Sequence, residues 1–158
     1  MHSSLAETYK SHRPLHEFRV LEKAAKIIER SYLKGQAFTS SGATQDFLMC
    51  KLGTYKQEVF AVMLLDSQHH LIEYKELFFG TIDAATVYPR EVVRAVFEAN
   101  AAAVVFAHNH PSGISEPSIA DKNITERLIK ALGLIDVRVL DHIIVAETPV
   151  SFAEKGLL

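Results

Sequence analysis

His108-Asn109-His110, followed across a short loop by Ser118 and Asp121, is the stretch whose residue types can do chemistry. Two imidazoles one residue apart and a nearby carboxylate can close three corners of a tetrahedron around zinc. The fourth corner is then left for water, which is the pattern of a catalytic site, because structural zinc sites are closed by four protein ligands. Zinc lowers the pKa of bound water toward ~7, and a carboxylate must then accept a proton and later donate it. Glu58 is the candidate for that step, since it stands at the entrance of an apolar run where an acid has no packing reason to be. Glu73, Glu76 and Glu91 are comparable candidates. Ser118-x-x-Asp121 ahead of an apolar helix also has the spacing of a capping box, so a cap and a ligand are both open for Asp121.

These side chains need elements to aim them. On a strand, residues i and i+2 share a face about 6.6 Å apart. Val104, Val105 and Phe106 favour a strand within the apolar run 101–107, so His108 and His110 converge at its end. Asn109 projects the other way and is expected to anchor the loop. Pro111 and Gly113 turn the chain sharply, and Ser112 is explained by loop chemistry as well as by a place in the site. Asp121 falls in the first turn of the next helix, whose apolar face is Ile124, Leu128, Ala131 and Leu132.

The remaining elements follow from periodicity. Phe18, Leu21, Ala25, Ile28 and Tyr32 predict an amphipathic helix over 16–34, stopped by Gly35 and preceded by a loose arm containing Pro14. Thr39-Ser40-Ser41-Gly42 offers N-caps for a second helix through Leu52. Residues 59–66 and 71–79 read as a hairpin around the polar turn Ser67-Gln68-His69-His70, where the two histidines are turn residues rather than a metal pair. Pro89 opens a helix to about Asn100, and 136–146 is a last strand with His142 as a satisfied core histidine. The order ααββαβαβ predicts an α/β fold with a mixed β-sheet and flanking helices. The predicted organisation is an N-terminal arm and amphipathic helix (1–36) and one domain over 37–158.

Bulk properties restrict the function classes. The chain has 158 residues, 48% hydrophobic and 23% charged, the balance of a globular protein with a real core. No apolar stretch is long enough for a bilayer, and Lys10, Arg13 and Glu17 do not read as a signal peptide. Cys50 is the single cysteine, expected as a small core residue, so neither an internal disulfide nor a cysteine-based zinc knuckle can form. A cytoplasmic location is expected. Residues 1–36 carry seven Lys and Arg against four Glu, while the whole chain has net charge −2, so the rest is acidic. Such a domain lacks the basic footprint of a stand-alone nucleic-acid binder.

The sequence resembles the JAMM (MPN-type) metalloprotease family, and closely its bacterial RadC-like branch. The JAMM pattern is an upstream Glu, His-x-His, seven residues, Ser, two residues and Asp, met here by Glu58, His108, His110, Ser118 and Asp121. His108-Asn109-His110-Pro111-Ser112-Gly113, Pro117-Ser118 and Asp141-His142-Ile143-Ile144-Val145 are similar to the RadC-like branch. The resemblance covers roughly 37–158. It implies a single domain of cytidine-deaminase-like architecture. It also implies that His108, His110 and Asp121 ligate one zinc ion, that Glu58 is the general acid/base, and that Ser118 donates to the tetrahedral oxyanion. Peptidases of the family cut peptide or isopeptide bonds, so such a bond is the expected substrate. The hairpin 71–79 and the loop 114–116 are expected to border the cleft. Longer RadC-like proteins carry an N-terminal helix-hairpin-helix region for which this chain is too short, so a DNA-repair role does not follow from the resemblance. The alternative is a catalytically silent zinc module that binds a protein or nucleic acid, with the basic amphipathic helix as its support. A zinc deaminase needs His-x-Glu with Pro-Cys-x-x-Cys, which one cysteine cannot supply. The letters His-Asn-His match the HNH nuclease label only by accident, since that family spreads the three residues over a ββα unit.

Overall fold

Two runs with no polar alternation take the centre of the sheet. Val59–Leu65 (β1) and Ala103–Asn109 (β3) are buried at every position, as strands covered on both faces must be. The computed structural model describes residues 15–33, 37–82 and 86–158. The expected arm and the Gly35 stop lie outside these residues, and the Tyr32 side chain is likewise not described.

The sheet order is β2-β1-β3-β4-β5, with β2 at Leu71–Phe79, β4 at Arg138–Val145 and β5 at Val150–Ser151. β1 runs antiparallel to β2 and β3, β3 and β4 are parallel, and β5 returns antiparallel to β4. The parallel pair needs a crossover, which the helix Ile119–Gly133 supplies. The fold is therefore the mixed α/β sheet with flanking helices that the alternation of periods predicts, in one domain. The last pair β4–β5 is too short to be read from sequence; two residues carry no periodicity.

Helices cover both faces. Leu15–Leu33 (α1) packs on Ser41–Leu52 (α2), which lies on the sheet face lined by Ala61, Met63, Val105, Ala107 and Ile143. Pro89–Ala99 (α3) and Ile119–Gly133 (α4) cover the other face, lined by Phe60, Val62, Leu64, Val104 and Phe106. The starts of α2 and α3 follow their local chemistry. Ser40 Oγ accepts the Ala43 N–H ahead of α2, Pro89 occupies the first turn of α3, and α3 ends on Asn100 in the left-handed region. Among the described residues no helix is long and apolar enough to cross a membrane.

Cys50 departs from expectation. It is half-buried, because Thr44, Phe47, Leu48 and Leu52 form the inward face of α2 and Cys50 lies off that stripe. Burial, and then the nearby Asp46 carboxylate, push its thiol up, so it is not poised as a thiolate nucleophile. His69 and His70 are turn residues: His69 has φ 65°, and His70 Nδ1 lies 3.0 Å from Asp66 Oδ2.

Leu128 is fully buried between α4 and the sheet. Leu128→Ala is predicted to cost about 2–5 kcal/mol, read as a lower urea midpoint at unchanged m-value. A cost well under 1 kcal/mol would contradict the packing of α4 described here.

Candidate metal centre

β3 extends two residues beyond the apolar run, so His108 and Asn109 are still strand residues and His110 follows immediately. Period 2 puts His108 and His110 on the face that α4 covers. Gly113 N–H then closes a tight turn on the His110 carbonyl at 2.9 Å, with Gly113 at φ 80°. The chain reaches Ser118, the N-cap of α4, and Asp121 returns to the histidines from the first turn.

The three side chains meet. His108 Nε2 lies 2.9 Å from His110 Nε2 and 3.0 Å from Asp121 Oδ1, and His110 Nε2 lies 3.3 Å from Asp121 Oδ2. His108 and Asp121 are buried and His110 is half-buried. These three residues can hold a metal ion. Tetrahedral ligands at about 2.0–2.1 Å from zinc would be about 3.3 Å apart, so the observed separations need only a slight opening. The donor chemistry fits as well. His110 Nδ1 donates to the Ile114 carbonyl at 2.8 Å, so the lone pair of a neutral His110 is at Nε2, aimed into the triangle.

Ser118 and Asp121 form the capping box and meet the histidines with the same carboxylate. Ser118 Oγ accepts the Asp121 N–H at 3.0 Å, and Ser118 N–H donates to Asp121 Oδ2 at 2.7 Å. The two readings of this spacing are thus not alternatives: the cap holds the carboxylate in place. Burial alone would raise the Asp121 carboxyl, but the imidazoles of His108 and His110 beside it outweigh burial and hold the group far below the usual carboxylate range. The positive end of α4 favours the same charge. Asp121 in turn raises the His110 ring above its ordinary value, against the effect of burial, with Glu58 adding a smaller push. The carboxylate thus favours positive charge at the spot a cation would take.

Glu58 enters from β1. Phe60 pairs with His108, so continuing the antiparallel register two residues puts Glu58 opposite His110 on the same face. Glu58 Oε2 accepts the Ile82 N–H, and Gly80 N–H donates to the Glu58 carbonyl. Glu58 stands beside the triangle rather than in it. The other acids are engaged elsewhere: Glu76 accepts from Tyr55 and Tyr74, Glu73 pairs with Lys75, and Glu91 with Arg90 and Arg94.

Asn109 is the anchor its alternation implied. Its Oδ1 accepts the Val59 N–H at 2.7 Å, and its Nδ2 donates to the Gln57 carbonyl at 2.9 Å. It therefore clamps the segment carrying Glu58 to the strand carrying both histidines. Sequence reasoning missed Thr125, a buried α4 residue joined to His142, which touches His108. Its one sequence signal is its place four residues after Asp121, on the same side of the helix.

A cleft of about 660 Å³ reaches this centre at His110. His110, Gly113, Met49, Leu52, Tyr55 and Val145 line it. Residues 71–79 and 114–116 do not line this cleft, but Ile114 lies against His110, and Gly80, just past the hairpin, against Glu58. Residues 71–79 form the edge strand next to β1, and Ser115 Oγ donates to the Thr148 carbonyl at 2.8 Å.

Known proteins share this arrangement of sequence. The profile of the RadC-like JAB domain matches residues 38–157. A UPF0758 protein of Vibrio cholerae is 59% identical over 150 residues, 95% of this chain and 96% of the relative. A second from the same organism is 58% identical over 143 residues, 90% of each chain. A UPF0758 protein of Marinobacter nauticus is 53% identical over 139 residues, 87% of this chain, which spans only 62% of that relative. The matched span contains the histidines, the cap, the carboxylate and Glu58, and the chain belongs to the RadC-like JAB domain family.

Proposed function

We propose that the chain is a zinc-dependent hydrolase of amide bonds, a peptidase or isopeptidase, with His108, His110 and Asp121 as the zinc ligands. The observation that carries this reading is the triangle of two imidazole nitrogens and a carboxylate, 2.9–3.3 Å apart, with His110 on the wall of an open cleft. Only three protein groups converge there among the described residues, as a catalytic rather than a closed structural site requires. Nitrogen and oxygen donors in this number favour zinc among the common cations. When bound, zinc would polarise a carbonyl and acidify water.

The other residues take roles their contacts allow. Glu58 has Oε2 tied to the Ile82 N–H, which leaves Oε1 to accept a proton and pass it to the leaving amine. Ser118 uses its oxygen lone pair for the cap, so its hydroxyl proton is available to donate to a developing oxyanion. The cleft is of the size that holds a short peptide segment, and its walls are mostly apolar.

Glu58→Gln is predicted to keep one zinc per chain and lower turnover of a cleaved peptide by about 10²–10⁴-fold. Metal analysis with a peptide-library assay checks both halves; equal turnover in the two proteins would remove Glu58 from the chemistry. Ser118→Ala is predicted to lower kcat with little change in KM, by about 2.7–4 kcal/mol of transition-state stabilisation. An unchanged kcat would leave Ser118 as a cap alone. If wild-type protein holds zinc and cuts no member of the library or of an isopeptide-linked set, the catalytic reading gives way to a metal-binding interaction module.

A further inference from the structure

We propose that His142 is a positioning residue of this centre: with Thr125 it fixes His108 as the tautomer whose Nε2 is bare and faces the cation. The proposal rests on His108 being a ligand, and it assigns the groups that make it one.

The argument starts from the single proton of the Thr125 hydroxyl. Thr125 Oγ1 lies 2.6 Å from the Asp121 carbonyl oxygen and 2.6 Å from His142 Nδ1. A carbonyl oxygen can only accept, so the hydroxyl proton points at Asp121. The Thr125 lone pair then faces His142 Nδ1, which must carry a hydrogen. His142 is fully buried among the rings of Phe60, Phe106 and Phe152. Its nitrogens touch Thr125 and His108 and no carboxylate, so a second proton would be an unpaired buried charge. His142 Nε2 is therefore an acceptor, 2.8 Å from His108 Nδ1. His108 Nδ1 must carry the hydrogen, and its Nε2 is left as a lone pair directed at His110 and Asp121. Each link is dictated by the one before it, starting from a carbonyl with no proton to give. The relay also ties two ligands together, because that carbonyl belongs to Asp121.

The backbone is arranged for this contact. Val104 pairs with Val139 but Val105 pairs with Asp141, so Leu140 is an extra residue in β4. A regular strand would alternate without interruption and send Asp141, not His142, to the α4 face. The bulge shifts the pleat by one, and His142 pairs alongside Phe106 beneath α4. Asp141, turned to the other side, accepts from Ser151 Oγ, Ala153 N and His142 N, which fastens the bulged segment.

Long-range ¹⁵N–¹H NMR of the full chain without metal reads the tautomers directly. His108 and His142 should both carry hydrogen on Nδ1; hydrogen on His108 Nε2 would overturn the proposal. Zinc affinity by competition with a chelating dye gives the second readout. His142→Phe keeps an aromatic in the pocket and removes the acceptor, and is expected to weaken zinc binding about 10–100-fold. His142→Gln restores an acceptor and should recover most of that loss. Zinc affinity of His142→Phe equal to wild type, or a loss in His142→Gln as large as in His142→Phe, would overturn the relay. If His142→Phe does not fold, Thr125→Val against Thr125→Ser makes the same comparison one link away, with the same expected pattern. His108→Ala separates the two claims, since undiminished zinc affinity there would strike the metal centre itself rather than its positioning.

Discussion

His108 Nε2, His110 Nε2 and the Asp121 carboxylate are crowded into one corner, and two of the three groups are buried. Acceptors facing one another without a proton repel, and burial removes the water that would relieve them. A protein keeps such an arrangement only if something positive sits in it. In the metal-free chain Asp121 raises the His110 ring above its ordinary value, which favours a proton there. A divalent cation serves better, because it satisfies all three groups at once and displaces that proton. The rest of the fold can be read as the scaffold that holds this unfavourable corner together.

Each wall of the corner has its own restraint. β3 is central and buried throughout, so the histidine-bearing strand has little freedom. α4 sets the carboxylate through its capping box, and its helix dipole favours the negative charge. Asn109 bridges to residues 57 and 59, so β1 cannot drift and Glu58 stays opposite His110. The ligands come from a strand end and a helix start, places a packed domain positions well while leaving one side open to substrate.

Much of this was legible in the sequence, and the reasons are physical. Long periodic segments announced their own type, and Ser118-x-x-Asp121 announced a helix start. The two histidines at i and i+2 needed only the assumption of a strand to share a face. What was not legible depends on pairing between distant segments. The bulge at Leu140 has no local signal, so the facing of His142 could not be told from Asp141. Thr125 reads as one more polar residue of an amphipathic helix until β4 is laid beneath it. The walls of the cleft at His110 were not legible for the same reason: they are made by α2 and the β3–β4 ends, and only tertiary packing brings these together. Cys50 failed on a local count, since the inward stripe of α2 was already filled by its neighbours.

The most direct test of the central claim is X-ray absorption at the zinc edge on the full chain loaded with one equivalent of zinc. The account predicts a four-coordinate ion with two imidazole nitrogens and two oxygen donors at about 2.0–2.1 Å, and no sulfur. A shell with a single imidazole, a sulfur donor, or the six oxygens of a loosely hydrated ion would contradict it.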